Sequence, residues 1–388
     1  MVLHRLTLPL ALALLVPACG PKPAPPTTTP EPAPEPEPVD PIPEGFFTLT
    51  PQLVVADVDT AVEFYGKAFG ATKVYSMPGP DGTTMHAEIK IGDSIMMLDK
   101  ENVDQGMKSP ATLGGTPGTL MMYVDDADAT YQAAMDAGAR AWTPVEEMFW
   151  GDRYGELEDP FGHRWALATH VEDLTPEQMQ QRAELAMPPA DPKKAKKAKK
   201  AKKGPPAWKE VAGTPATDPT PDAYHTVTLA LTTSDANAAI EFYKAAFGAQ
   251  DKELMPGPDG KVMHAELTIG DSVLMLSDER PDMGYKSATT LGGSPITVHM
   301  YTTDVEATFT QATGAGGTEA MALTNMFWGD RYGMVVDPAG ISWGVAMRVE
   351  IVAPEQMEER MKAQMAAEGG GEAPADAVEA DAAADPAS

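Results

Sequence analysis

The sequence predicts an α+β protein built from two equivalent domains, each of them a doubled β-α-β-β-β unit. Three observations carry this. The stretch from Phe47 to about Met187 aligns without a gap with His225 to about Met365, 178 positions later. Two blocks recur intact: Met148-Phe149-Trp150-Gly151-Asp152-Arg153-Tyr154-Gly155 returns as Met326 to Gly333, and Met77 to Gly82 returns as Met255 to Gly260. Inside each copy, a set of alternating apolar strands with one amphipathic helix is followed by a second set in the same order. A copy of about 140 residues is long enough to bury its own core.

The elements follow in order. Thr48 to Val55 reads as a strand, and Asp57 or Asp59 caps a helix whose apolar face is Val62, Tyr65, Ala68 and Phe69, stopped by Gly70. Lys73 to Met77 enters a Gly79-Pro80-Asp81-Gly82 turn, Met85 to Ile91 leaves it, and Gly92-Asp93 leads into Ser94 to Leu98. The order then restarts. Thr119 to Val124 is a strand, Asp126 to Gly138 a helix with Tyr131 and Met135 on its inner face, and strands resume toward Asp159-Pro160-Phe161-Gly162.

The flanks have a different composition. Leu6 to Val16 is an apolar run too short to span a bilayer, and residues 1–19 read as a signal peptide. Its end, Leu15-Val16-Pro17-Ala18-Cys19-Gly20, resembles a bacterial lipoprotein box, which implies a lipid on Cys19 and an outer-membrane anchor facing the periplasm. Cys19 is the single cysteine of 388 residues, so no intramolecular disulfide forms. Residues 20–45 are a Pro-rich spacer, 188–222 a Lys/Ala/Pro-rich linker with Lys193 to Lys203 at its centre, and 366–388 an acidic tail. All three are expected to be disordered. The domains are then 46–187 and 223–365. A net charge of −28 repels phosphate backbones and argues against a nucleic-acid partner.

Several blocks in a fixed order resemble the vicinal oxygen chelate superfamily, also called the glyoxalase/bleomycin resistance/dioxygenase superfamily, and its PhnB-like branch most of all. They are Ala61-Val62-Glu63-Phe64-Tyr65 with Ala68 to Ala71, Met85-His86-Ala87-Glu88, Ile91-Gly92-Asp93-Ser94, the Met148 to Gly155 block, and Asp159 to Trp165 with Ala168-Thr169-His170. The resemblance implies that each β-α-β-β-β unit makes a half-cup, that two halves pair, and that a cleft opens between them. It also implies a divalent metal held by His, Glu or Gln from the first and fourth strands of each unit. The matching positions here are Thr50, Met97, Thr119 and Ala166, and in the second copy Thr228, Met275, Thr297 and Gly344. None of these is an ordinary ligand for such an ion. No metal and no cofactor is therefore expected.

The candidate site residues are those that could line a cleft. His86 and Glu88, with His264 and Glu266 in the second copy, alternate with apolar residues and should face the cup. They read either as an acid and base, as two ligands of an atypical metal site, or as a hydrogen-bonded sheet feature. Tyr123 and Tyr301 should point inward from the fifth strand of each copy. Trp150, Asp152 and Arg153, with Trp328, Asp330 and Arg331, either frame a pocket for a planar or anionic ligand, or hold the rim together, with Asp152 pairing Arg153 or capping a turn. His163 and Glu158 occur only in the first copy and His299 only in the second. The function expected is that of an envelope-anchored protein binding a small molecule without the family's metal. The alternatives are a noncanonical enzyme of lyase, isomerase or dioxygenase type and a purely structural scaffold. The two domains either pair with each other or act separately.

Overall fold

The computed structural model describes residues 39–79, 81–186, 206–257, 259–353, 356–357 and 359–363. Cys19, the signal segment, most of the spacer, the Lys193 to Lys203 run and the acidic tail lie outside the described residues. The first copy runs β1 (Leu49–Val55), α1 (Val58–Phe69), β2 (Thr72–Pro78), β3 (Thr84–Ile91), β4 (Ser94–Lys100), α2 (Pro110–Leu113), β5 (Gly118–Tyr123), α3 (Ala127–Ala137), β6 (Arg140–Glu147), β7 (Asp152–Glu158) and β8 (Arg164–His170). A short β9 (Glu172–Asp173), α4 (Pro176–Ala186) and β10 (Thr214–Pro215) follow. The second copy repeats the order as β11 (Val227–Thr233), α5 (Ala236–Phe247), β12 (Gln250–Pro256), β13 (Val262–Ile269), β14 (Ser272–Asp278), α6 (Ala288–Leu291), β15 (Ile296–Tyr301), α7 (Val305–Gly314), β16 (Thr318–Asn325), β17 (Asp330–Val336) and β18 (Ser342–Arg348).

Local chemistry sets the element ends. Asp57 accepts from the Thr60 amide at 2.8 Å and starts α1, and Gly70 ends it in the left-handed region at φ 69°. Behind the strands, Tyr65 donates its hydroxyl to Asp159 at 2.7 Å and Trp165 Nε1 donates to the same carboxylate at 3.0 Å, all three buried. Tyr243, Asp337 and Trp343 repeat this at 2.7 and 2.9 Å. The aspartate of this turn is thus a core bond acceptor in both copies, which explains its retention as Asp159 and Asp337 without reference to a ligand.

The sheets are exchanged between the copies. One eight-stranded sheet has the order β16-β17-β18-β15-β1-β4-β3-β2, the other β12-β13-β14-β11-β5-β8-β7-β6. The first half of copy one therefore pairs with the second half of copy two, through antiparallel β1 and β15 with Thr50 opposite His299. The other two halves meet through β11 and β5. A reading of one cup per contiguous copy is corrected to two cups, each drawing on both copies. The Gly-Asp-Ser turns clasp the first halves of the two copies to each other across the two sheets. Asp93 accepts from the Thr226 amide and Asp271 from the Thr48 amide, both at 2.8 Å. Ser94 and Ser272 accept from the amides of Val227 and Leu49. Gly92 is needed here, since a Cβ would stand 2.2 Å from the Thr226 hydroxyl.

Two segments expected to be disordered are ordered in part. Ile42 and Phe46 pack onto the cluster of Tyr301, Tyr332 and Ala346, and the Arg348 amide donates to Pro41 O. In the linker, Trp208 is buried above Arg182, and Thr214 and Pro215 pair with β9. Both corrections have one cause: each segment carries an apolar side chain, Ile42 in the spacer and Trp208 in the linker, that packs against the folded chain.

Candidate functional site

Strand alternation decides what each cup contains. In β1, Leu49, Leu53 and Val55 join the helix-side core, so Thr50, Gln52 and Val54 face the cup. By the same rule the first cup is lined by His86, Glu88, Met97, Asp99, Thr297, His299, Tyr301, Asp330, Tyr332 and Gly344. The second cup carries Thr228, Ala230, His264, Glu266, Met275, Ser277, Thr119, Met121, Tyr123, Asp152 and Tyr154. His86, Glu88, Tyr123, His264, Glu266 and Tyr301 lie on the face their alternation predicted.

The two arginines do not. Arg153 and Arg331 follow Asp152 and Asp330 on their strands and so leave by the opposite face, where they pair with Asp128 and Glu306. Asp152 instead takes Trp150 Nε1 at 3.1 Å, the Tyr123 hydroxyl at 3.2 Å and His170 Nδ1 at 2.8 Å. Asp330 takes Tyr301 at 2.9 Å and Trp328 at 3.0 Å, and burial against those two bonds raises its pKa. The Trp-Gly-Asp block is therefore a rim brace. Gly151 fits this account, since at φ 99° a Cβ would meet the Glu172 carbonyl at 2.3 Å. The hydrogen bond that His170 donates to Asp152, against the opposing effect of burial, raises His170 to about 9, with Asp173 adding to the shift.

The first cup holds a hydrogen-bonded row with loose ends. Asp99 accepts from His86 Nδ1 at 2.7 Å and from Gln52 Nε2 at 2.5 Å. These bonds engage His86 through Nδ1, leaving Nε2 without a hydrogen bond among the described residues, and leave Gln52 Oε1 buried without a partner. His299, 4% exposed, stacks on Tyr332 at 5.6 Å with its Nε2 also buried and unpartnered. Burial, aided by nearby His86, pushes His299 down to about 4, so its ring is neutral at pH 7. For His86, burial opposes charge, but Asp99 and Glu88 outweigh it and raise the pKa. Burial also raises Glu88, against the pull of His86. Gln52 and Asp99 escaped the sequence reading, which noted His299 as a residue of the second copy alone. The usable signal was the appearance of all three in one copy only, opposite Ala230, Ser277 and Met121.

The second cup is closed by its own side chains. Glu266 accepts from Lys252 Nζ at 2.6 Å, the Tyr224 hydroxyl at 2.5 Å and His264 Nε2 at 2.9 Å. Against its burial, these bonds bring Glu266 to about 2. Farther along, Arg164 lies between the rings of Trp142 and Tyr285, 3.7 and 4.4 Å from their centroids, and Glu156 accepts from Tyr154 and Tyr285.

The metal implied by the resemblance does not fit the donors. Thr50, Met97, Thr297 and Gly344 face the first cup, and Tyr332 lies so close over Gly344 that a Cβ there would stand 2.6 Å from its hydroxyl. Among the described residues no three His, Cys, Asp or Glu side chains form a group able to hold a metal ion.

The chain is 45% identical over 136 residues to functionally uncharacterised proteins of Mycobacterium bovis and Mycobacterium tuberculosis, spanning 34% of this chain and 89% and 79% of theirs. An uncharacterised protein of Arabidopsis thaliana is 28% identical over 127 residues, 31% of this chain and 76% of that one. Among solved structures, glyoxalase I from Zea mays matches with a TM-score of 0.48 and 16% identity, covering 77% of this chain and 92% of the maize chain. TioX from Micromonospora sp. ML1 matches with a TM-score of 0.26 and 29% identity over 31% of this chain and 95% of its own. The profile of the Glyoxalase/Bleomycin resistance protein/Dioxygenase superfamily matches residues 48–167 and 225–345, more than half of the chain. With this match falling on both copies and their paired half-cups, the chain belongs to that superfamily.

Proposed function

We propose that this protein binds a small molecule in its first cup and engages it through side chains rather than through the superfamily's metal. One observation carries the reading: His299 Nε2 and Gln52 Oε1 are buried there without partners, whereas native interiors satisfy nearly all such atoms. A ligand supplying hydrogen bonds to both would remove a cost of about 1–3 kcal/mol for each. The test is mass spectrometry of compounds retained by the purified protein. His299→Met installs the residue that the second cup has at Met121. It is expected at least to keep the unfolding temperature of the ligand-free protein and to lose the retained compound; a compound retained equally by the variant would refute the reading.

A second reading rests on His86. Asp99 fixes its Nδ1 and leaves Nε2 without a hydrogen bond among the described residues, the arrangement a general base requires. The second cup has Ser277 in place of Asp99 and turns His264 Nε2 onto Glu266 instead. If the first cup catalyses proton transfer, His86→Gln abolishes turnover of the retained compound without preventing its binding.

We also propose that Cys19 carries a lipid and holds the protein in a bacterial cell envelope. The apolar run before it and Ala18-Cys19-Gly20 support this. Cys19→Ser is expected to move the protein from the membrane fraction to the soluble fraction, and unchanged fractionation would count against the lipid.

A further inference from the structure

We propose that the ligand of the first cup carries a primary ammonium group, seated on Glu88 as the Lys252 ammonium is seated on Glu266 in the second cup. This rests on the reading of the first cup as a binding site. The repeat makes the two cups comparable position by position, and one of them already contains its cation. In the second cup the Lys252 ammonium donates to Glu266 at 2.6 Å and lies 4.0 Å from the Tyr224 ring centroid, so a carboxylate and an aromatic face hold it together. In the first cup the carboxylate remains as Glu88, on the same strand position and the same face. Val74 stands where Lys252 does and Phe46 where Tyr224 does. The cation and the phenol are gone, while the acid and an aromatic ring are kept, Phe46 packing edge-on against Tyr301 at 5.4 Å.

The Glu88 carboxylate accepts no hydrogen bond among the described residues, although its backbone is paired in the sheet. Its neighbour His86 spends Nδ1 on Asp99. The other charges on this face are Asp99 and Asp330, against His86, the exposed Lys90 farther along β3, and Arg348, whose Nε is engaged by Asp40 O. Among the described residues none of these cations donates to the Glu88 carboxylate. The His299 Nε2 and Gln52 Oε1 atoms then serve the polar remainder of the same molecule, which makes the expected ligand a small organic amine with hydrogen-bonding groups, rather than a simple inorganic cation.

The side chain of Lys252 suggests the probe. The full chain with 13C-labelled methionine methyls is titrated with n-butylammonium, and with n-butanol as an uncharged control of the same shape. Met97 reports on the first cup and Met275 on the second. Saturable shifts of Met97 with the ammonium alone are expected, with Met275 still. Glu88→Gln should weaken binding at least tenfold, and Val74→Lys should abolish it by supplying a tethered ammonium. Equal shifts with both probes, no shift with either, or wild-type affinity in Glu88→Gln would overturn the proposal. If the ammonium fails while a retained compound still disappears in His299→Met, the cup binds a ligand of other chemistry and only this inference falls.

Discussion

Replacing Lys252 by Met tests whether the second cup is held shut by charge. Glu266 is 5% exposed and has three donors, of which Lys252 is the only permanent cation. Removing one partner of a buried pair costs about 3–5 kcal/mol. The Lys252 side chain is 30% exposed, and Tyr224 and His264 stay on the carboxylate, so a loss of about 2 kcal/mol is expected at pH 7. The pH dependence makes the test sharper. Glu266 has a folded pKa of about 2, below its ordinary value of 4.5. Its contribution, of order 3 kcal/mol from that difference, is fully present above pH 4.5 and lost as pH falls through about 2. Urea unfolding at pH 7, 4 and 3 should therefore show the two proteins converging as pH drops. A gap below about 0.5 kcal/mol at pH 7, or one that does not narrow in acid, would refute a charge-locked cup.

Four further outcomes follow from the described contacts. His170 is raised to about 9 from an ordinary 6.5, so its stabilising effect is complete below pH 6.5 and disappears as pH rises through 9. His170→Gln should flatten the stability profile between pH 6.5 and 9.5, measured by urea unfolding. Tyr65→Phe removes a buried hydroxyl from Asp159 and should cost about 1.5–3 kcal/mol, with Tyr243→Phe costing the same and the pair adding. Arg153→Ala should change stability by less than about 0.5 kcal/mol and leave any retained compound in place, because its partner Asp128 is exposed on the outer face. Expressed as two polypeptides divided between residues 187 and 206, the copies should co-elute as one particle, since each sheet draws strands from both; separate elution would contradict the exchanged sheets.

Much of the fold was legible because its signals are local. The cap at Asp57, the stop at Gly70 and the alternation of Met85 to Ile91 all act within a few residues, and each appears where expected. Strand exchange is different: β1 presents the same edge whether it meets β5 or β15, so nothing in either strand's own pattern selects the partner. The Asp93 and Asp271 clasps, which tie the first half of each copy to the first half of the other, likewise reach residues more than a hundred positions away. Arg153 was misplaced for a related reason. The block Trp150-Gly151-Asp152-Arg153 reads as one cluster in sequence, but a strand sends consecutive side chains to opposite faces. Only Trp150 and Asp152 meet.

The same exchange explains how the two cups came to differ. In a symmetric homodimer of single copies, every residue of one cup is also a residue of the other, so a lysine that closed one would close both. Joining the copies in one chain removes that constraint. Lys252, Tyr224, Tyr285 and Trp142 can then fill one cup while Val74, Phe46, Met107 and Ala320 leave the corresponding places of the other without those groups. The divergence is not scattered drift. Gln52, Asp99 and His299, unique to the first cup, come from three strands and from both copies, yet face a single space. If the first cup had no ligand, its buried Gln52 Oε1 and His299 Nε2 would be a standing cost. Gln52→Ala and His299→Met, copying the second cup, would then stabilise the protein. Under the binding reading they relieve the same cost in the ligand-free protein but remove the stabilisation that ligand confers. Unfolding temperatures measured with and without the retained compound separate the two cases.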